Sequence, residues 1–174
     1  MSSYQKGMDA YDHGDYDTAL KEFRPLAEQG DPLAQATLGF MYAKGQGVPQ
    51  DDQEAVRWSR LAAEQGHAVA QCNLGFMYDK GQGVPQDYTE AVKWYRLAVE
   101  QGDAVAQANL GLMYAKGQGV AQNYIQAYMW ETLAAAQGND NASKGLEILG
   151  KQMTPDQLAE AQRLPREWKA KGTE

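Results

Sequence analysis

Cysteine, histidine, basic charge and long apolar runs are what this chain has least of. A single cysteine, Cys72, stands among 174 residues, so no disulfide can form within the chain and redox usage leaves the compartment open. The two histidines, His13 and His67, are far apart in sequence. There is no His-Glu-x-x-His and no clustered ligand set, so the patterns of zinc hydrolases are missing. No apolar run approaches the roughly 18 residues that a membrane span needs. Sixteen Lys and Arg face 23 Asp and Glu, a formal net charge of −7. That removes the basic footprint of a nucleic-acid or anionic-membrane binder. Met1-Ser2-Ser3-Tyr4 shows no charged segment leading into an apolar one. The expectation is a soluble protein with no targeting segment in this chain, with a bacterial periplasmic or secreted protein that has lost its leader slightly favoured over a cytoplasmic one.

What is present is a period. Ala-Gln-Ala-Thr-Leu-Gly-Phe-Met-Tyr begins at Ala34, Ala-Gln-Cys-Asn-Leu-Gly-Phe-Met-Tyr at Ala70 and Ala-Gln-Ala-Asn-Leu-Gly-Leu-Met-Tyr at Ala106, a register of 36 residues. Gly30, Gly66, Gly102 and Gly138 keep it, as do Trp58, Trp94 and Trp130. A period of this size means stacked supersecondary units, none able to bury its apolar face alone. With 43% hydrophobic and 22% charged residues, the array is globular rather than disordered.

Each unit reads as two antiparallel helices. Asp31-Pro32 opens the first, with Asp as cap and Pro at the first helical position. Leu38, Met41 and Tyr42 form its apolar stripe. Gly39, Gly75 and Gly111 lie inside that helix at about 1 kcal/mol each against Ala; close approach to Ala55, Ala62 and their equivalents offsets this. Gly45, Gly81 and Gly117 end it. The loop Gly45-Gln46-Gly47-Val48-Pro49-Gln50 is a structural turn rather than a phosphate cradle, since no Gly-Lys-Ser/Thr follows and no strand precedes it. Val48, Val84 and Val120 are expected to plug it into the core. Capping boxes are expected where Asp51 precedes Glu54, Asp87 precedes Glu90 and Asn123 precedes Gln126. Ala55, Trp58, Leu61 and Ala62 share a face of the second helix, and Trp58, Trp94 and Trp130 read as core. The first unit is shorter, with Pro25 expected to kink its second helix. Asn141 to Leu149 begins a further first-type helix, and Thr154-Pro155-Asp156-Gln157 opens a final one whose Leu158, Ala161 and Leu164 can cover the end of the stack.

The recurring Asn-Leu-Gly-x-Met-Tyr, Lys-Gly-x-Gly-Val and Glu-Ala-Val-x-Trp segments resemble those of the Sel-one-like repeat family, relatives of the tetratricopeptide repeats. The resemblance covers nearly the whole chain. It implies an all-α, right-handed α-solenoid of antiparallel helix pairs with a C-terminal capping helix. As one domain over 1–174, it divides into a shortened repeat (1–30), full repeats at 31–66, 67–102 and 103–138, and a half-repeat with the capping helix (139–174). Ala121 departs from the loop proline of Pro49 and Pro85, which implies a softer third loop, and Pro165 interrupts the capping helix.

The resemblance also implies a concave groove lined by the first helices, and an adaptor that holds a peptide or protein segment. Residues just before the motif Leu and just after its Gly would face that groove. They form a polar row of Thr37, Asn73 and Asn109, an apolar row of Met8, Phe40, Phe76 and Leu112, and a basic row of Lys44, Lys80 and Lys116. Asn offers a peptide backbone both donor and acceptor; alternatively, Asn73 and Asn109 cap or bridge neighbouring helices. The lysines can hold a carboxylate, or simply complement the helix C-terminus at roughly 0.3–1 kcal/mol each. Phe40 and Phe76, two residues after the core Leu, should be partly exposed, as a binding surface requires. Cys72 reads as a buried, inert thiol. The expected partner is a protein or peptide, without cofactor, catalytic residues, metal, nucleic acid or membrane insertion; self-association through the groove is open. The alternative is a hydrolase or binding protein acting on a cell-wall-related small molecule or glycan.

Overall fold

A computed structural model describes residues 1–170 of the chain. Among them are ten α-helices and no strand. In order these are α1 (Ser3–Asp12), α2 (Tyr16–Glu28), α3 (Pro32–Lys44), α4 (Asp52–Glu64), α5 (Ala68–Lys80), α6 (Tyr88–Glu100), α7 (Ala104–Lys116), α8 (Tyr124–Ala136), α9 (Asp140–Gln152) and α10 (Pro155–Arg163). They fall into two compact units, Met1–Gln86 and the residues from Asp87 onward. In the first, α1 to α5 each pack on the next. In the second, α6 packs on α7, α7 on α8, and α8 on α9 and α10.

The helix ends follow the sequence closely. Asp31 and Asp103 accept the Ala34 and Ala106 N–H groups at 2.8 Å, while His67 caps α5 through Nδ1 at 3.2 Å from the Ala70 N–H. Gly45, Gly81 and Gly117 close α3, α5 and α7 at φ +66°, the left-handed conformation that costs a glycine nothing. Gly117 has this geometry although Ala121 stands where the other loops have proline. The expected capping boxes of the second helices are only half formed. Asp51, Asp87 and Asn123 accept from the residue three ahead, but Glu54 and Glu90 turn along the helix to pair with Arg57 and Lys93 instead. Full boxes occur at Ser2/Gln5 and, as expected, at Thr154/Gln157. Helix α2 runs through Pro25 to Glu28. A 3-10 turn at Leu164–Arg166 replaces the end of the capping helix at Pro165.

The in-helix glycines sit where one helix meets the next. A methyl group at Gly39 would lie 2.5 Å from Ser59 Oγ and 3.2 Å from the Ala55 carbonyl. One at Gly111 would lie 2.9 Å from Glu131 Cγ and 3.1 Å from the Ala127 carbonyl. The nearest atoms are therefore those of Ala55 and Ser59, and of their counterparts Ala127 and Glu131. The core of the first unit gathers Ala19, Phe23, Ala27, Ala34, Leu38, Met41 and Trp58, with Val48 of the loop packed against it. Trp58 and Trp130 are buried and Trp94 half-buried. Their indole nitrogens lie inside without a hydrogen-bond partner among the described residues, so these rings act through packing. Arg57 stacks 4.6 Å from the Trp58 centroid, and Trp168 meets Trp130 edge-on at 5.5 Å.

Buried glutamines fasten one helix pair to the next. Gln35 donates to the Ala27 carbonyl at 3.1 Å, and Gln65 bridges from below to Gln35 Oε1 at 2.8 Å and the Gly30 carbonyl at 3.0 Å. Gln137 repeats this with Gln107 and Gly102 in the second unit. These bonds reach carbonyls at and just past the helix C-termini, the one on Ala27 beside the bond it accepts from the Gly30 N–H, a role the sequence pattern alone did not reveal.

Candidate functional site

In the first unit, the outer faces of α1, α3 and α5 carry two depressions. The larger, about 500 Å³, is lined by Phe40, Ala43 and Lys44 of α3, Gln50 and Asp52 beyond it, Ser59 of α4, Asn73, Phe76 and Met77 of α5, and Gln82. The smaller, about 240 Å³, lies among Tyr4, Met8 and Tyr11 of α1, Leu33, Ala36, Thr37 and Phe40 of α3, and His67 and Val69. Phe40 borders both.

Local sequence explains why this surface exists. The stripe Leu38/Met41 turns inward at 0% exposure, so residues two after the motif Leu must turn outward. Phe40 and Phe76 are accordingly 40% and 41% exposed. Lys44 and Lys80, one turn on, lay their ammonium groups over these rings at 5.6 and 5.7 Å from the centroids, a cation–π arrangement. Lys80 also pairs with Asp79 at 2.8 Å and does not line the larger depression.

Asn73 is half-buried on its wall. Its amide makes no hydrogen bond among the described residues, and neither does that of Asn109, so neither caps nor bridges a neighbouring helix. Thr37 differs: its hydroxyl donates back to the Leu33 carbonyl at 2.9 Å, which leaves its acceptor capacity. Ser59 forms the floor at 1% exposure, and its hydroxyl has no hydrogen-bond partner among the described residues. Met8 lines the smaller depression. Cys72 is buried at 4% exposure.

In the second unit, Asn109 is half-buried, Leu112 is 42% exposed and Lys116 is exposed. Leucine offers no aromatic face, so Lys116 has no ring to cover. The residue in the register of Ser59 is here Glu131, 72 positions on, buried at 6% exposure. Burial pushes its carboxyl up to about 7. Sequence reasoning missed both floor residues. The signal was available: the position 20 residues after the in-helix glycine changes from Ser59 to Tyr95 to Glu131 while its surroundings repeat.

Neither histidine is placed as a general base. His13 is exposed and its Nδ1 lies 2.7 Å from the Asp9 carbonyl, which raises its pKa. His67 serves as a helix cap, and burial lowers its pKa against the pull of Asp31. Among the described residues no group of three or more His, Cys, Asp or Glu could hold a metal ion, and no helix is long and apolar enough to cross a membrane.

The Sel1 repeat model matches residues 32–67, 68–103 and 104–139. The chain belongs to the Sel1 repeat family. Its fold is the α-solenoid class of that family, and Sel1 repeat proteins are in general protein-interaction scaffolds. A Sel1 repeat protein from Oxalobacter formigenes has 36% identity and a TM-score of 0.80, over 85% of this chain and 59% of that one. The protein c5321, a protective antigen of uropathogenic Escherichia coli with an SLR fold, has 43% identity and a TM-score of 0.76, over 80% of this chain and 31% of its own. Cysteine rich protein B of Helicobacter pylori shares the fold at 21% identity and a TM-score of 0.60, over 74% of this chain and 95% of its own. The chain thus spans under two thirds of the first two. No curated protein matches.

Proposed function

We propose that this Sel1 repeat protein is an adaptor whose first unit holds an extended peptide segment of a partner protein along the outer face of α3 and α5. The observation that carries the reading is the Asn73 amide. It is half-buried on the wall of the 500 Å³ depression between two exposed phenylalanines, and makes no hydrogen bond among the described residues. A peptide backbone supplies the donor and acceptor that this amide lacks, and an apolar side chain of the peptide covers Phe40 and Phe76. Lys44, at the C-terminal end of α3, is set to meet an acidic group. Thr37 and Met8 extend the surface, and Lys80 borders it. In the second unit Asn109, Leu112 and Lys116 offer the same order of polar, apolar and basic groups.

The hydrolase alternative has less in its favour, because His13 and His67 are engaged with helix ends and the buried Glu131 has no second acid or base paired with it.

The test is a pull-down from lysate of the source organism with the wild type beside Asn73→Ala/Phe76→Ala, followed by titration of the captured partner. Both changes are at the surface, so helicity and Tm should stay within the range of ordinary surface substitutions, about 0.5 kcal/mol. Affinity should fall at least tenfold. Equal retention by both proteins would reject this face as the interface.

A further inference from the structure

The carboxylate of Glu131 is the most unusual group in the molecule. It projects from α8 into the angle between α7 and α9. Its placement depends on two glycines: a methyl at Gly111 would lie 2.9 Å from its Cγ, and a methyl at Gly145 would lie 2.6 Å from Oε2 and 2.9 Å from Oε1. Gly145 holds the register position that Asn73 and Asn109 hold in the earlier repeats. Where those repeats present an amide, this one presents the acid from beneath.

Glu131 is 6% exposed and forms no hydrogen bond or ion pair among the described residues. The charged groups on the surrounding helices are committed elsewhere or stand apart. Lys151 pairs with Glu147 on α9, and Arg163 with Glu160 on α10, while Lys116 and Lys144 reach no carboxylate among the described residues. A carboxylate this buried is normally paired. Leaving it unpaired costs stability, and a site that needs a charge is where such a cost is met.

The surface beside it is apolar and exposed. Leu112, next to Gly111, is 42% exposed, and Ile148, one turn beyond Gly145, is 59% exposed. Burial does not close this register position to a ligand. Its counterpart in the first unit, Ser59, is 1% exposed and yet forms part of the lining of the 500 Å³ depression.

We propose that the α7–α9 face of the second unit is a reader of a basic side chain. It takes a lysine or arginine of a partner peptide, whose aliphatic stem lies on Leu112 and Ile148 and whose cation pairs with Glu131 over Gly145. Long basic side chains combine an apolar stem with a charged head, which matches an apolar rim around one carboxylate. A single carboxylate without further oxygen or nitrogen ligands suits an organic cation better than a metal ion. The chain's own net charge of −7 favours the approach of such a segment. On pairing, the carboxyl gives up its proton, so its pKa falls below the value of the free protein. The inference stands on Glu131 and does not rest on the α3–α5 surface.

The experiment is to pan a random dodecapeptide phage library on the wild type, on Glu131→Gln and on Asn73→Ala/Phe76→Ala, and to titrate the selected peptides. Gln keeps the shape and removes the charge. The wild type should enrich peptides with a lysine or arginine among apolar residues. Glu131→Gln should bind them at least tenfold more weakly, and Asn73→Ala/Phe76→Ala should bind them unchanged. Carbon-13 NMR of the labelled Glu131 carboxyl should show its midpoint falling when the peptide is added. Gly145→Asn, which fills the space over the carboxylate, should lose binding as well. Absence of binders, absence of basic enrichment, binding by Glu131→Gln within twofold, or an unmoved carboxyl signal would each overturn the proposal. Loss in Asn73→Ala/Phe76→Ala with no effect of Glu131→Gln would assign the peptides to the first unit and reject this site.

Discussion

The two units repeat one helical register and fill it with different chemistry. In the first, the small Ser59 lies under Gly39, Asn73 stands on the wall, and Phe40 and Phe76 are each capped by a lysine. In the second, Glu131 fills the space that Gly111 and Gly145 leave, and Leu112 stands uncovered beside Lys116. The framework residues hardly change between them. The lesson is that a repeat fixes where a side chain goes, while the residue at a variable position decides what that place can recognise.

The framework should prove the most sensitive part, and equally so in both units. A methyl at Gly83 would meet the Asp52 carbonyl oxygen at 2.2 Å, and one at Gly119 would meet that of Tyr88 at 2.3 Å. Both glycines are at φ +69°, where side chains are strained as well. Gly83→Ala and Gly119→Ala should each cost more than about 3 kcal/mol, from backbone overpacking and strain together. Gly30→Ala, at φ +96° with open space around it, should cost only about 1 kcal/mol. Thermal melts of the three variants check this; equal losses would show that conformation alone sets the cost.

The variable position should give the next largest effect, and in only one unit. The Glu131 carboxyl titrates near 7 in the native protein against an ordinary 4.5. Below about pH 4.5 it is protonated in both native and unfolded chains and has no influence. Between there and about 7 the unfolded chain releases a proton that the native chain keeps, so stability falls as pH rises, and it levels off above 7. The total is roughly 3 kcal/mol at 1.36 kcal/mol per pH unit. Glu131→Gln should remove that slope and be the more stable protein at pH 8. Placing the acid in the other unit, as Ser59→Glu, should destabilise, because Asn73 stands where Gly145 makes room. Adding Asn73→Gly should recover part of the loss. Urea titrations from pH 4 to 8 measure all of these, and an unchanged slope in Glu131→Gln would reject Glu131 as the source.

The smallest difference lies in the basic row. Lys44 covers an aromatic ring and Lys116 covers none. Lys44→Met should therefore lose about 0.5 kcal/mol more than Lys116→Met, the scale of an exposed cation–π contact, in a difference of denaturation midpoints. Equal losses would mean that both lysines act only through the helix C-terminus.

Much of this molecule was legible beforehand. The helix starts, the left-handed glycines at 45, 81 and 117, the inward Leu38 and the outward Phe40 all follow from local rules. What escaped was the pairing between elements. Asp51 looked like half of a capping box, but Glu54 found Arg57 closer along its own helix. Gln35 and Gln65 carry no local signal for the carbonyls of Ala27 and Gly30 that packing brings to them.

The sequence by itself determined the family, the helix pairs and which residues each helix shows outward, because those depend on spacing and on interactions a few residues long. Only the tertiary structure decided that, among the described residues, Asn73 is left with an unbonded amide, Ser59 floors a cleft, and Glu131 is buried without a partner. Those facts depend on which side chains from distant repeats share a space, and no local pattern records what a side chain fails to meet.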